Sequence, residues 1–125
     1  MKIHFQTLSA EFTGELNDTP AARELIKNLP ISSRVSTWGD EIYFDAGIAA
    51  PDAGATMKPA VGEIGYWPPG RCLCVFFGPT PASDSEDPVP ASPVVVVGKT
   101  SASPELLRGI AAGEEITVSA APEPA

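Results

Sequence analysis

The stretch Ile64-Gly65-Tyr66-Trp67-Pro68-Pro69-Gly70-Arg71-Cys72-Leu73-Cys74-Val75-Phe76-Phe77 holds the strongest turn signal in the chain. Two prolines fix φ and the glycine after them tolerates a reversal, which predicts a hairpin of Ile64 to Trp67 with Arg71 to Phe77. Successive side chains of a strand alternate between faces, so Cys72, Cys74 and Phe76 share one side and Leu73, Val75 and Phe77 the other. Both sides are apolar. Such a strand needs cover on each, and the expectation is a barrel core within and a helix outside.

Working outward, the same alternation recurs. Lys2 to Leu8 places Ile3, Phe5 and Thr7 on one face, and Glu11 to Leu16 places Phe12, Gly14 and Leu16 on one face, with Ser9 and Ala10 as the turn. Ser33 to Trp38 and Glu41 to Phe44 read as a second hairpin turned at Gly39-Asp40. Val94 to Val97 is a β-branched run that fits a buried strand, and Glu115 to Ser119 supplies the last one. Thr19-Pro20 and Ser103-Pro104 each combine a capping hydroxyl with a proline suited to the first helical turn, so two short helices are predicted there. The first carries Ala21, Ala22, Leu25, Ile26 and Leu29 at helical spacing and ends near Pro30. Asp45 to Ala60 and Gly78 to Pro93 read as loops, the former either a cover folded over the barrel mouth or a mobile insertion. Eight strands and two helices predict a mainly β protein, a small closed barrel occupying residues 1–119, with 120–125 as a tail.

Composition restricts the function classes. A chain of 125 residues is the size of one domain, and its 14 prolines and 11 glycines favour turns over long helices. Eight Lys and Arg against 16 Asp and Glu give a formal net charge of −8, which repels phosphate backbones and anionic lipid, so neither nucleic acid nor membrane is expected as a partner. The first eight residues alternate polar with apolar and form no signal-peptide core, which makes a cytoplasmic location the expectation. Cys72 and Cys74 lie two apart, which is neither a CxxC pair nor a disulfide framework. With His4 as the single histidine, a zinc site lacks ligands, and no metal or other cofactor is expected.

Candidate site residues come from the turns. Trp38, Tyr43, Tyr66 and Trp67 cluster beside them, where aromatics either close the barrel ends or line a ligand groove. Arg71 lies close in sequence to Trp67 and Phe77. Asp40-Glu41 and Glu114-Glu115 are adjacent acids, which on strands point to opposite faces and so form no catalytic dyad. His4 has no neighbouring nucleophile, and the two cysteines read as small apolar packing groups.

Three segments, Thr37-Trp38-Gly39-Asp40-Glu41-Ile42-Tyr43-Phe44, Gly62-Glu63-Ile64-Gly65-Tyr66-Trp67-Pro68-Pro69-Gly70 and Cys74-Val75-Phe76-Phe77-Gly78-Pro79-Thr80-Pro81, resemble the hallmark blocks of a prokaryotic cyclophilin-like family of unassigned function. The similarity extends to Leu16-Asn17-Asp18, the first helix and the Pro93 to Lys99 strand; the Ala46 to Ala60 loop and Arg71-Cys72 depart from it. The resemblance implies a cyclophilin-like barrel of eight strands flanked by two helices, and fold alone carries no activity. Some cyclophilins are prolyl isomerases that use an arginine against the prolyl nitrogen, but the arginine-and-phenylalanine signature of that activity has no copy here. The leading expectation is a non-catalytic barrel, monomer or homodimer, that binds a peptide or small molecule through Trp38, Tyr43, Tyr66, Trp67, Arg71 and Phe77. Two alternatives are an isomerase that uses Arg71 and a homo-oligomeric assembly module.

Overall fold

The computed structural model describes residues 1–121. Among them nine strands and two helices follow one another as β1 (Lys2–Thr7), β2 (Glu11–Leu16), α1 (Pro20–Lys27), β3 (Ile31–Arg34), β4 (Ser36–Thr37), β5 (Glu41–Asp45), β6 (Glu63–Trp67), β7 (Cys72–Phe76), β8 (Val95–Lys99), α2 (Pro104–Arg108) and β9 (Glu115–Ala120). All pair antiparallel in a single sheet of order β3-β9-β1-β2-β8-β6-β7-β5-β4. The two outermost members, β3 and β4, are consecutive in the chain and separated only by Val35. One extended segment therefore pairs with β9 at its start and with β5 at its end, and the sheet comes round into a nearly closed barrel.

This arrangement explains why nine strands stand where eight were expected. The predicted strand from Ser33 to Trp38 is interrupted at Val35, whose N–H donates to the Glu114 carbonyl at 2.9 Å and whose carbonyl accepts from the Gly113 N–H at 2.8 Å. Those two bonds tie Val35 to the turn before β9, beyond the ladder that β3 makes with that strand. The side chain of Val35 is buried at the seam. The last strand also runs one residue beyond its expected end, because Ala120 pairs with Ile3, and the Ala121 N–H donates to the Lys2 carbonyl at 3.0 Å, so the expected tail begins as part of the sheet; residues 122–125 lie outside the described residues.

The alternation read from sequence sets the core. Ile3, Phe5, Phe12, Leu16, Ile42, Phe44, Ile64, Tyr66, Leu73, Val75, Val95, Val97, Ile116 and Val118 point inward as one cluster. Phe5 and Phe12 face each other across the first hairpin and stack with ring centroids 4.5 Å apart. Thr19 caps α1 by accepting the Ala22 N–H at 3.2 Å, and Ser103 caps α2 by accepting the Leu106 N–H at 3.1 Å. Ala21, Ala22 and Leu25 of α1 and Leu107 of α2 all join the same inner cluster.

Because both helices bury their apolar faces against that cluster, the expected helix outside β7 is not there. The outer face of β7 carries a second, separate cluster of Cys72, Cys74, Phe76 and Val94, with Tyr43 and Trp67 packed on it. Loop rather than helix completes the cover, and the site described below arises there.

The barrel's two halves meet along a short join. β2 and β8 share only the pairs Glu15 with Lys99 and Leu16 with Gly98, reinforced by Asn17, whose N–H donates to the Val97 carbonyl at 2.8 Å. A β-carbon on Gly98 would run into the Glu15 carbonyl oxygen and come within 3.1 Å of the Leu16 Cα, both backbone atoms that cannot swing aside. Gly98→Ala should therefore part these strands and cost about 1–3 kcal/mol or more. Urea unfolding should show the loss as a lower midpoint at unchanged slope.

Candidate functional site

A cavity of about 230 Å³ lies over the outer face of β5, β6 and β7. Strand geometry puts its parts together. Glu41 and Tyr43 alternate onto the same face of β5, Tyr43 is directly opposite Cys74 on β7, and Trp67 is opposite Cys72. Trp38 enters from the β4–β5 turn, Val94 from the chain before β8, and Pro90 and Ala91 from the loop that follows β7. Other concavities of the described residues, one over the β3–β9 pair and two around β2 and β8, are lined by no aromatic side chain.

The wall is held in place by hydrogen bonds. The Trp67 Nε1–H donates to the Ser92 hydroxyl at 2.6 Å, fastening the loop to β6. Within that loop the Ser83 hydroxyl accepts the Thr80 N–H at 2.9 Å and donates to the Asp87 carbonyl at 2.7 Å, while the Thr80 hydroxyl donates to the Val89 carbonyl. The β4–β5 turn is clasped to the start of the same loop, because Phe77 N–H donates to the Asp40 carbonyl and Asp40 N–H to the Pro79 carbonyl, each at 2.9 Å. Two of the segments singled out in the sequence thus meet at the cavity mouth.

The family model for cyclophilin-like proteins matches residues 1–119. The chain belongs to the cyclophilin-like family. It is also similar to a hypothetical protein of Archaeoglobus fulgidus known from its solution structure, with 36% identity over 97% of this chain and 95% of that one and a TM-score of 0.82. No curated protein matches the chain. The family thus accounts for the barrel, and the chemistry has to be read from the side chains.

Of the six residues expected to bind a ligand, the cyclophilin-like barrel brings Trp38, Tyr43 and Trp67 to one cavity. Tyr66 and Phe77 are elsewhere. Tyr66 points inward beside Ile64, 1% exposed, and its hydroxyl donates to the Ile48 carbonyl at 2.6 Å and accepts the Ala50 N–H at 3.1 Å, which pins the loop after β5 across the barrel. Phe77 is likewise buried in the inner cluster. Arg71 is exposed and does not line the cavity. It occupies the left-handed conformation, φ 51°, at the end of a 3-10 turn formed by Pro68–Gly70. The reversal thus falls on Arg71 rather than on Gly70, whose missing side chain instead leaves room for the Trp67 ring: a β-carbon there would stand 2.6 Å from the indole.

No carboxylate pairs with Arg71 among the described residues; Arg34 pairs with Glu115 at 3.3 Å, and Arg108 reaches from α2 to Asp40 at 3.0 Å. His4 is half-buried on β1 and lies 3.5 Å from Glu11 across the first hairpin. Among the described residues no group of three or more His, Cys, Asp or Glu is placed to hold a metal ion, and no helix is long and apolar enough to cross a membrane.

The cavity contains two functional groups that sequence reasoning passed over. Asp40 and Glu41 do point apart, Asp40 to Arg108 and Glu41 into the cavity, where it is only 6% exposed. Burial pushes the Glu41 carboxyl from its ordinary value of 4.5 up to about 7, and the Cys74 thiol, donating toward it, draws it partway back. Burial and the nearby acid also push the Cys74 thiol up, and burial with Asp45 and Glu41 does the same for Cys72, so neither is a reactive thiolate. No Lys, Arg or His lines the cavity.

Glu41 binds its proton more tightly folded than unfolded, so its contribution to stability is fully present below about pH 4.5 and is lost as pH rises through about 7. Thermal melts should show the wild type losing up to a few kcal/mol over that window. Glu41→Gln should flatten this dependence and melt higher than wild type at alkaline pH; parallel profiles for the two proteins would show that the carboxyl is not buried as described.

Proposed function

We propose that the protein is a non-catalytic binding domain that takes one side chain of a peptide, or a small organic molecule, into the cavity outside β5, β6 and β7. The observation that carries this reading is the composition of the cavity: three aromatic side chains and a single buried carboxyl around about 230 Å³. Pockets of this kind combine an apolar wall with one or a few polar groups that set orientation. The volume falls below that of most pockets for drug-sized ligands, which run from about 300 Å³ upward, and suits one anchoring group. Catalytic equipment is not assembled there. The one acid–thiol pair, Glu41 with Cys74, is buried, which holds the thiol protonated rather than as a nucleophilic thiolate, and Arg71, the residue an isomerase would need, lies outside the lining.

The test is an NMR titration of the labelled protein with a mixed set of proline peptides and small molecules, following amide and indole signals together with cis-trans exchange of the peptides. Shifts should centre on Trp38, Tyr43 and Trp67, persist in Arg71→Ala, and disappear in Trp67→Ala, whose spectrum should otherwise remain that of the folded barrel. Faster peptide exchange that Arg71→Ala removes would replace this reading with an isomerase. Shifts centred away from the three aromatics would remove the cavity from consideration.

A further inference from the structure

We infer that the group this cavity takes is a quaternary or methylated ammonium ion, held among Trp38, Tyr43 and Trp67 with the Glu41 carboxylate as its counter-ion. The inference rests on the binding reading above and adds the charge of the ligand. Aromatic rings attract organic cations through their quadrupoles, most strongly where water is excluded, and cages of two to four such rings are a recurrent solution for alkylated ammonium groups.

The electrostatics of the surroundings favour a cation over an anion. Each element packed around Glu41 contributes either neutral or acidic groups: Tyr43 from β5 itself, Cys72 and Cys74 from β7, Trp67 from β6, Val94 ahead of β8, and Pro90 and Ala91 from the loop. The neighbouring Asp40 is turned away and neutralised by Arg108, and Asp45, at the far end of β5, adds negative potential at Cys72. An entering cation would meet a desolvated carboxyl that no protein cation shares, whereas an anion would meet repulsion from it and find only neutral donors, the Trp38 indole, the Tyr43 hydroxyl and the Cys74 thiol.

The one-sided placement of acceptors favours alkylation. A primary ammonium ion brings three N–H groups that need acceptors once water is removed. The side-chain oxygen acceptors in this lining, the Glu41 carboxyl and the Tyr43 hydroxyl, both stand on β5, and the rest of the lining is aromatic, aliphatic or thiol, so the N–H groups of a primary ammonium that point away from β5 meet no side-chain oxygen. Methyl groups in place of the N–H groups remove that demand, keep the charge and add apolar surface that the three rings would cover.

Proton and cation compete for Glu41, so affinity must rise as pH passes through about 7, where the carboxyl is half ionised, and level off once it is ionised throughout. The experiment compares choline with 3,3-dimethylbutan-1-ol, its uncharged isostere, by NMR titration of wild type and Glu41→Gln at about pH 6 and about pH 8. Choline should shift the Trp38 and Trp67 indole signals, bind roughly tenfold tighter than the isostere, and tighten toward the higher pH. Glu41→Gln, the same shape without the charge, should reduce the preference to what the rings alone supply and abolish the pH dependence while keeping the wild-type amide spectrum.

Equal affinities for the two probes, tighter binding at the lower pH, or no response to choline would each overturn the inference. In the first two cases a probe still moves the indole signals, so the binding reading survives and only the counter-ion role of Glu41 falls. The outcome that sinks the binding reading itself is different, and is the displaced shift pattern in the mixed-ligand titration.

Discussion

β7 is apolar on both faces, and a strand of that kind has to be kept from water on both sides. The inner face presents no difficulty, since Leu73 and Val75 pack with the barrel core. The outer face is where the fold had to find a second solution. α1 and α2 are already committed to the inner cluster through Ala21, Ala22, Leu25 and Leu107, so cover comes from the chain between β7 and β8 and from the aromatic side chains of the adjacent strands. A loop covers less evenly than a helix. Its backbone cannot interdigitate as a helical face does, and the residual space between Pro90 and Ala91 on one side and Cys74 and Val94 on the other is the cavity.

Several features make that cover rigid enough to be a site. Trp67 rests over Gly70, a position where any β-carbon would displace it, and its indole N–H holds Ser92. Thr80 and Ser83 hold the loop to itself, and the β4–β5 turn is bonded to the loop's first residues. On the other side of the sheet, Tyr66 performs the matching task for the loop after β5. Adjacent aromatics in the sequence thus secure two different loops on two different faces. Preorganisation of this sort matters for a small ligand, because ordering a loop on binding would consume much of the modest affinity that one buried group supplies.

Much of the fold was legible in the sequence. The two hairpins at Ser9-Ala10 and Gly39-Asp40, the capped helix starts at Thr19 and Ser103, and the burial of Val95 and Val97 all follow from period-two alternation and local turn chemistry. The break at Val35 was not legible, since it depends on a turn near residue 113 that is distant in the chain. The site was legible only in part, for a specific reason. Tyr66 and Trp67 are consecutive on a strand and cannot line the same groove, and Tyr43 and Glu41, two apart, must share a face. Alternation alone contains both facts. What it does not contain is which face of β7 is inner, because Cys72, Cys74 and Phe76 are as apolar as Leu73, Val75 and Phe77; the choice is made by Tyr66 and its partners across the barrel.

Asp40 and Glu41 show how far a one-residue step can separate two identical functional groups. Asp40 stands at the turn, where the Arg108 guanidinium approaches it through both Nε and an Nη atom, and its charge is balanced by a surface pair of ordinary kind. Glu41 is carried by the alternation of the strand to the opposite face, into a lining shared with Trp38 and Tyr43 that contains no cationic side chain. Burying a carboxyl without a partner opposes folding, and packing alone would be better served at that point by an apolar residue of similar size. The cost is reduced by holding the proton, which is what burial does to Glu41, and it would be removed altogether by a cation that excludes water and takes the proton's place. Within the chain the ionised Glu41 carboxyl is met only by the Cys74 thiol, and that incomplete compensation is the constraint on which the proposed binding role rests.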